Sequence, residues 1–244
     1  MNYLYDGSFE GLLCSIFEAF ERKEYPDAIL PDEGAQYTLD RMREIETDLE
    51  KSRRVYDGIG RKISALALEN AYLCFLSKDL DARRVLLEYL RLGFKYGRKV
   101  DERLAEDSVM KVTKIARNVN MEKHHYVGFL RFSSLEGGLY FAQFEPENNV
   151  LPLLMPHFAD RLNTQPFIIH DNNRKVAGVY NGTDWFLISS ASMNLPEYSS
   201  DEMEYRRLWK GFFDAIGIKE RASRKRQRQM MPLKYRKYMW ETQG

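Results

Sequence analysis

The pattern of apolar and polar positions along the chain predicts a helical N-terminal half, residues 1–121. Apolar residues recur three and four positions apart from Phe9 to Phe20, which is the spacing of an amphipathic helix. Residues 59–77 are apolar almost all round, as expected of a buried central helix. Residues 32–56 are polar and mixed in charge, and they could form either a surface helix or a loop.

A sheet region, residues 122–190, follows the helical half. Strand-like segments rich in aromatic and β-branched residues alternate there with turn signals. Five strands are predicted, at residues 126–132, 139–144, 167–170, 176–180 and 185–188. Gly137 and Gly138 separate the first two strands and indicate a hairpin, and residues 152–162 are predicted to be a short helical insert. The pattern therefore predicts an antiparallel sheet of about five strands.

A final long helix is predicted over residues 199–217, capped by Ser199 or Ser200. The apolar positions predicted to face the core are Tyr205, Leu208, Trp209, Phe212 and Ile216. The fold class is therefore predicted to be α+β, with residues 1–218 forming one domain. A basic and aromatic segment, residues 219–244, is expected to pack on that domain.

Charge is distributed unevenly along the chain. Between Arg206 and Lys237 there are twelve Lys and Arg residues against two carboxylates, although the net charge of the whole chain is only +1. The N-terminal body must therefore be acidic. Charge separation of this kind indicates that the basic segment either binds a polyanion or folds back onto the body. Composition alone leaves both alternatives open.

Several classes of protein are excluded or disfavoured by the sequence. There is no apolar run of about 18 residues, and the N-terminus lacks the features of a signal peptide, so we expect a cytoplasmic protein. Phosphate-loop, GxSxG and HExxH motifs are absent. Cys14 and Cys74 lie in apolar helical patterns and are predicted to be reduced core residues. No metal or cofactor is predicted.

One pair of residues could support acid–base chemistry. His157 and Asp160 are three positions apart on the predicted helical insert and would share a face. A carboxylate beside an imidazole can orient it as a general base. Arg131 and Arg161 could hold a phosphate, and Arg131 could instead meet the Asp160 carboxylate. The alternative is a local ion pair that caps a short helix.

The four histidines give no ligand spacing that indicates a metal site. His124, His125, His157 and His170 all lie in the sheet region. With nearby aspartates they could form a mixed metal or acid–base site, but hydrogen-bonded structural or surface histidines are favoured.

The basic C-terminal segment interleaves cations with aromatic rings, a composition typical of surfaces that bind phosphates and exposed bases. The predicted nucleic-acid contacts are Arg131, Arg161, Arg221, Arg224, Lys225, Arg226, Arg228, Lys234, Tyr235, Arg236, Lys237 and Trp240. A short basic stripe at Lys111, Lys114 and Arg117 could assist. Alternatively, the segment docks onto the acidic N-terminal half with its aromatic residues buried as anchors.

Five motifs together carry a family resemblance: YDGSFEG at 5–11, RLGF at 91–94, HHYVGFLRF at 124–132, PHFADR at 156–161 and QRQMMP at 227–232. In these motifs the chain resembles a bacterial family described as DNA metabolism or DNA repair proteins, built around a domain of unknown function. This resemblance implies a role in DNA repair or DNA metabolism, because related domains are joined to uracil-DNA glycosylase-like domains. Similar stand-alone members are encoded beside a radical SAM protein assigned to DNA repair.

The chain departs from the family pattern near Ser223, where the resemblance leads us to expect an asparagine. No catalytic residue is carried over from the family. We therefore expect a nucleic-acid-binding accessory protein that works with a partner enzyme of the radical SAM or glycosylase type. Two alternatives stay open. One is an enzyme that acts on a base or nucleotide through His157 and Asp160, and the other is a protein-interaction module without direct DNA contact.

Overall fold

The computed structural model describes residues 1–32, 41–190, 195–216 and 223–242. The chain divides into two compact units, Met1–Asn120 and Met121–Gly244. This boundary lies one residue before the predicted end of the helical half. The prediction of one family domain over residues 1–218 stays a prediction. No helix in the described parts of the chain is long and apolar enough to cross a membrane.

The first unit contains a small parallel sheet, of which the sequence pattern predicts only the central strand, at residues 3–5. Strand β1 (Asn2–Tyr5) lies between β2 (Ile29–Pro31) and β3 (Met42–Glu44), and both neighbours run parallel to it. Helix α1 (Phe9–Glu21) connects β1 to β2. Both outer strands have only three residues, and a proline in β2 is tolerated because that strand lies at an edge.

Three more helices build the core of the first unit. They are α2 (Leu49–Lys62), α3 (Ala65–Leu76) and α4 (Ala82–Tyr96), and a 3-10 helix (Gly97–Glu102) follows. The single helix predicted over residues 59–77 is interrupted because Ser64 caps α3 and accepts a hydrogen bond from the backbone N–H of Ala67 at 2.9 Å.

Both cysteines of the first unit are free and buried, as predicted. Burial raises the pKa of the Cys74 thiol to about 12, so this thiol stays protonated and unreactive at neutral pH.

The first predicted strand, residues 126–132, is wrong. Helix α5 runs from Asp107 to Phe129 and includes most of that stretch. Val112, Val119 and Tyr126 are buried and lie seven residues apart along the helix, so they form one apolar face. The aromatic and β-branched residues that suggested a strand fit this face equally well.

The second unit contains the predicted five-stranded sheet. Its strands are β4 (Ser133–Ser134), β5 (Tyr140–Phe144), β6 (Phe167–Asp171), β7 (Val176–Tyr180) and β8 (Trp185–Ser189), in that spatial order. The expected turn at Gly137 and Gly138 joins β4 to β5, and both glycines have positive φ angles, which glycine adopts without strain. The α+β class is confirmed.

The sheet is mixed rather than antiparallel, because β5 and β6 pair in parallel. Helix α6 (Leu151–Arg161), the predicted insert, is the crossover connection between them, as parallel neighbours require. The other three pairings are antiparallel. Helix α6 approaches the sheet closely at Gly178, where an added Cβ would lie 2.3 Å from the Met155 sulfur.

Helix α7 (Glu202–Ile216) forms within the predicted range, but its apolar side does not face the core. Tyr205, Leu208, Trp209, Phe212 and Ile216 are all exposed. The predicted closing residue, Gly217, lies outside the described residues. Helix α8 (Arg224–Met230) and two 3-10 helices (Leu233–Tyr238 and Trp240–Thr242) complete the described chain.

Candidate functional site

The basic C-terminal segment contains an exposed part and a docked part. On α8, the side chains of Lys225, Arg226 and Arg228 are exposed. None of the three forms an ion pair with another residue that the structure describes. Two predicted contacts cannot be placed, because Arg221 and the side chain of Arg224 lie outside the described residues.

The docked part, residues 231–242, packs on the second unit through buried anchors. Tyr235 is 6% exposed, and its ring centroid lies 4.8 Å from that of His125 and 4.9 Å from that of Tyr126. The Tyr235 hydroxyl and His125 Nδ1 are 3.1 Å apart. Met239 is also buried. Tyr235 is thus a packing anchor, but its contacts lie in the second unit rather than in the N-terminal half that the docking alternative named.

Cations of the docked part already have partners within the protein. Lys234 Nζ lies 2.7 Å from Glu147 Oε1, and Lys237 Nζ lies 2.5 Å from Glu145 Oε1. The hydrogen bond from Lys237 is the main cause that holds the pKa of Glu145 below its usual value. Arg236 donates to the backbone carbonyl of Met231. Lys234 and Lys237 therefore hold the segment in place, whereas the contact of Arg236 lies within the segment.

Arg131 uses all three of its side-chain nitrogens in contacts within the protein, chiefly with the buried carboxylate of Glu241. Its Nε and Nη2 donate to Glu241 Oε1 at 2.9 and 2.6 Å, and Nη1 donates to the carbonyls of Gly128 and Leu130. The Glu241 side chain is 1% exposed. Burial is the largest single influence and raises the pKa of Glu241, but the hydrogen bonds from Arg131 and from the backbone, together with the positive charge of Arg131, outweigh it, so the pKa lies below the usual value. Arg131 therefore binds Glu241 rather than Asp160.

The predicted acid–base residues lie three positions apart on α6, but no hydrogen bond joins them. Asp160 and Arg161 are exposed, and neither pairs with another residue in the described ranges. His157 Nε2 is buried without a hydrogen-bond partner among the described residues. Its ring lies edge-on to Phe158, at a centroid distance of 5.0 Å. The carboxylate therefore does not orient the imidazole in this arrangement.

Two of the other three histidines have side-chain partners. His124 and His125 lie on α5, where His124 is exposed and His125 Nδ1 faces the Tyr235 hydroxyl. His170 Nε2 is 2.7 Å from the Ser190 hydroxyl. Across residues 1–32, 41–190, 195–216 and 223–242, no group of three or more His, Cys, Asp or Glu residues could hold a metal ion.

A cleft lined by aromatic rings opens beside α7, with a volume of about 620 Å³. We call it the aromatic cleft, and its lining residues are Phe132, Ser134, Tyr140, Glu202, Tyr205, Leu208, Trp209, Phe212 and Trp240. Residues Tyr205, Trp209 and Phe212 are 63%, 40% and 55% exposed. Six of the nine lining residues are aromatic, so the cleft offers planar apolar surface to a ligand.

A smaller cavity of about 160 Å³ shares Trp240 with the aromatic cleft. We call it the basic pocket, and its lining residues are Arg131, Ser133, Phe141, Gln143, Tyr198, Arg206, Lys237, Tyr238 and Trp240. The Arg206 guanidinium lies 4.8 Å from the Trp240 ring centroid and 4.7 Å from that of Tyr198. Arg206 Nε donates to Glu202 at 2.7 Å, and Nη2 donates to Ser133 Oγ at 2.8 Å.

Comparison with family models matches residues 81–241, more than half of the chain, to a domain of unknown function, DUF4130. The chain belongs to the DUF4130 family. Curated proteins and solved structures gave no match. The DUF4130 match covers the five-stranded sheet, the aromatic cleft and the basic pocket, whereas the three-stranded parallel sheet lies outside it. The match confirms the expected domain of unknown function.

Sequence reasoning missed the aromatic cleft of this DUF4130 protein. Tyr205, Trp209 and Phe212 have helical spacing and were predicted to face the core. A distinguishing feature was nevertheless present, because Arg206 and Lys210 interleave with these rings along α7. A helix that alternates aromatic and basic residues is also typical of surfaces that bind nucleic acids.

Mild acidification is expected to destabilise the DUF4130 protein through two histidines. Burial is the main cause that lowers the pKa of His125 and of His170 below the usual 6.5. The unfolded chain therefore binds protons more readily than the folded one, and stability falls as the pH decreases below 6.5. Urea unfolding at several pH values between about 7.5 and 5 would measure this, since the carboxylates protonate mainly below that window.

A double variant distinguishes the contribution of these two histidines to the pH dependence of stability from the contribution of other titrating groups. His125→Gln with His170→Asn removes both imidazoles, so the dependence of unfolding free energy on pH should flatten above pH 5 or so. An unchanged pH dependence in this double variant would contradict the assignment.

Proposed function

We propose that this DUF4130 protein is a nucleic-acid-binding accessory protein of DNA repair or DNA metabolism. The observation that carries the proposal is the set of exposed cations on α8. Lys225, Arg226 and Arg228 have no carboxylate partner among the described residues, whereas Lys234 and Lys237 are paired with glutamates. Unpaired cations bind phosphates and release counterions, which supplies most of the affinity of non-specific nucleic-acid binding.

The aromatic cleft in the same unit supports the same proposal. Exposed aromatic rings stack on unpaired bases in a manner that tolerates any base, because every base presents a π face. Proteins that bind single strands combine such rings with cations that contact the backbone. The second unit supplies both components.

An accessory role with a partner enzyme is supported by the family resemblance and by the surroundings of His157. Related domains are joined to glycosylase-like domains, and similar stand-alone members are encoded beside a radical SAM protein. The His157 imidazole has no hydrogen bond to Asp160, so the alternative of an enzyme with this acid–base pair lacks the orienting contact that general-base catalysis uses. We therefore propose that the chemistry belongs to the partner enzyme.

Binding to labelled single- and double-stranded DNA between about 50 and 200 mM salt tests the proposal. The variant Lys225→Gln/Arg228→Gln removes two unpaired cations. We expect the slope of log affinity against log salt to decrease in magnitude by about 1.4–1.8, because each lost phosphate contact contributes about 0.7–0.9. The variant Lys234→Gln/Lys237→Gln removes the same charge from paired positions and should change the slope by less than half as much.

Equal slopes for the two variants, or binding that is insensitive to salt, would contradict direct phosphate contact by α8. A role in protein interaction would then be the better supported function.

This second candidate function is supported by β8, an edge strand whose Trp185, Phe186, Leu187 and Ile188 are all exposed. An exposed apolar edge strand can pair with a strand of another protein.

A further inference from the structure

We infer that the aromatic cleft binds one unstacked base of single-stranded DNA, with the adjoining phosphate held by Arg206 in the basic pocket. This inference rests on the proposed function and names the form of nucleic acid that the site accepts. A base within a duplex is stacked on both sides, so only a single strand or an extruded base presents a free face to the cleft.

Aromatic rings from two separate elements line the cleft. Tyr205, Trp209 and Phe212 follow one another at four and three residues, so they lie along one side of α7. Trp240 comes from the 3-10 helix at the C-terminal end of the described chain. A contiguous apolar patch that is exposed on a helix is a common feature of interaction sites and ligand-binding grooves.

The hydrogen bonds of the two arginines decide which one can hold phosphate. All three nitrogens of Arg131 already donate, to Glu241 and to two backbone carbonyls. Arg206 uses Nε and Nη2, and its Nη1 has no acceptor among the described residues. A guanidinium with spare N–H groups beside a stacking ring suits a phosphate that follows a bound base.

Glu202 positions Arg206 without competing for the ligand. Its side chain is 5% exposed, and its two oxygens accept from Arg206 Nε and from the backbone N–H of Ser134. Both carboxylate oxygens are therefore engaged by the protein. The carboxylate fixes the guanidinium over the Trp240 ring, which is the wall that the two cavities share.

A comparison of two oligonucleotides with identical phosphates tests the inference. One is a labelled oligothymidine, and the other is an abasic oligonucleotide of the same length. We expect the protein to bind the oligothymidine about tenfold more tightly, because stacking on aromatic side chains is lost without bases. Phe212→Ala and Tyr205→Ala should each reduce this preference severalfold and leave the affinity for the abasic strand unchanged.

Phe186→Ala is the matched control, since it removes an exposed ring of similar size from β8, outside the cleft. This variant should keep the full preference. Equal affinity for the two oligonucleotides, with salt-dependent binding retained, would overturn the base site and leave the proposed function standing. An equal loss in Phe186→Ala and Phe212→Ala would also overturn the base site. Absence of binding to both oligonucleotides and to double-stranded DNA would overturn the proposed function itself.

Discussion

Replacement of Arg131 by methionine is expected to lower the free energy of unfolding by about 3–5 kcal/mol. The substitution leaves the Glu241 carboxylate, which is 1% exposed, without the guanidinium that compensates its burial. An uncompensated buried charge costs far more than the net contribution of the ion pair. Denaturant unfolding of the variant and of the unchanged protein, at neutral pH, would measure the difference.

The double variant Arg131→Met/Glu241→Gln shows whether the buried charge is the cause. It removes both charges, so we expect it to recover part of the loss seen in Arg131→Met alone. A loss below about 1 kcal/mol in the single variant would mean that the pair behaves like an exposed salt bridge. The Glu241 carboxylate would then be hydrated in solution rather than buried against Arg131.

Tyr235→Ala is expected to destabilise the protein by about 3–5 kcal/mol, the range for truncating a large buried aromatic side chain. The ring is 6% exposed and contacts His125, Tyr126 and Phe129. Thermal or urea unfolding would measure the loss. Tyr235→Phe is the matched control, because it keeps the ring and removes only the hydroxyl next to His125, with an expected cost of about 1 kcal/mol.

The two Tyr235 variants also distinguish an anchor from a stacking residue. If Tyr235 is an anchor, the Phe variant should bind DNA as the unchanged protein does, and the Ala variant should lose binding only to the extent that it unfolds. Normal stability in Tyr235→Ala together with weaker DNA binding would show instead that the ring contacts nucleic acid. For the same reason, deletion of the whole basic segment is a poor test of DNA binding, because it removes this anchor.

Local patterns predicted the last three strands closely. The β6–β7 and β7–β8 connections carry strong turn residues, and their partners are adjacent in sequence, so alternation and turn chemistry suffice. The parallel pairing of β5 with β6 could not be predicted in this way. It depends on the path of α6, which leads the chain back to the end of the sheet where β5 began. The outer strands of the N-terminal sheet were missed for a similar reason, since each has three residues and pairs with β1 across distant positions.

The candidate site was less predictable than the fold. An amphipathic helix has the same periodicity whether its apolar side covers a core or lines a cleft, so α7 was assigned to the core. The basic segment posed a related difficulty, because its cations look alike in sequence. Only the packing of Glu145, Glu147 and Glu241 separates the cations that hold the segment in place from those on α8.

The ion pair between Arg131 and Glu241 joins residues that are 110 positions apart, and this separation constrains folding during synthesis. Arg131 and the surface around His125 emerge from the ribosome long before residues 231–242, which bury them. Until then the nascent second unit exposes an unpaired guanidinium and an aromatic surface, both of which invite non-native contacts. The second unit can therefore complete its native packing only after the ribosome has translated past Glu241.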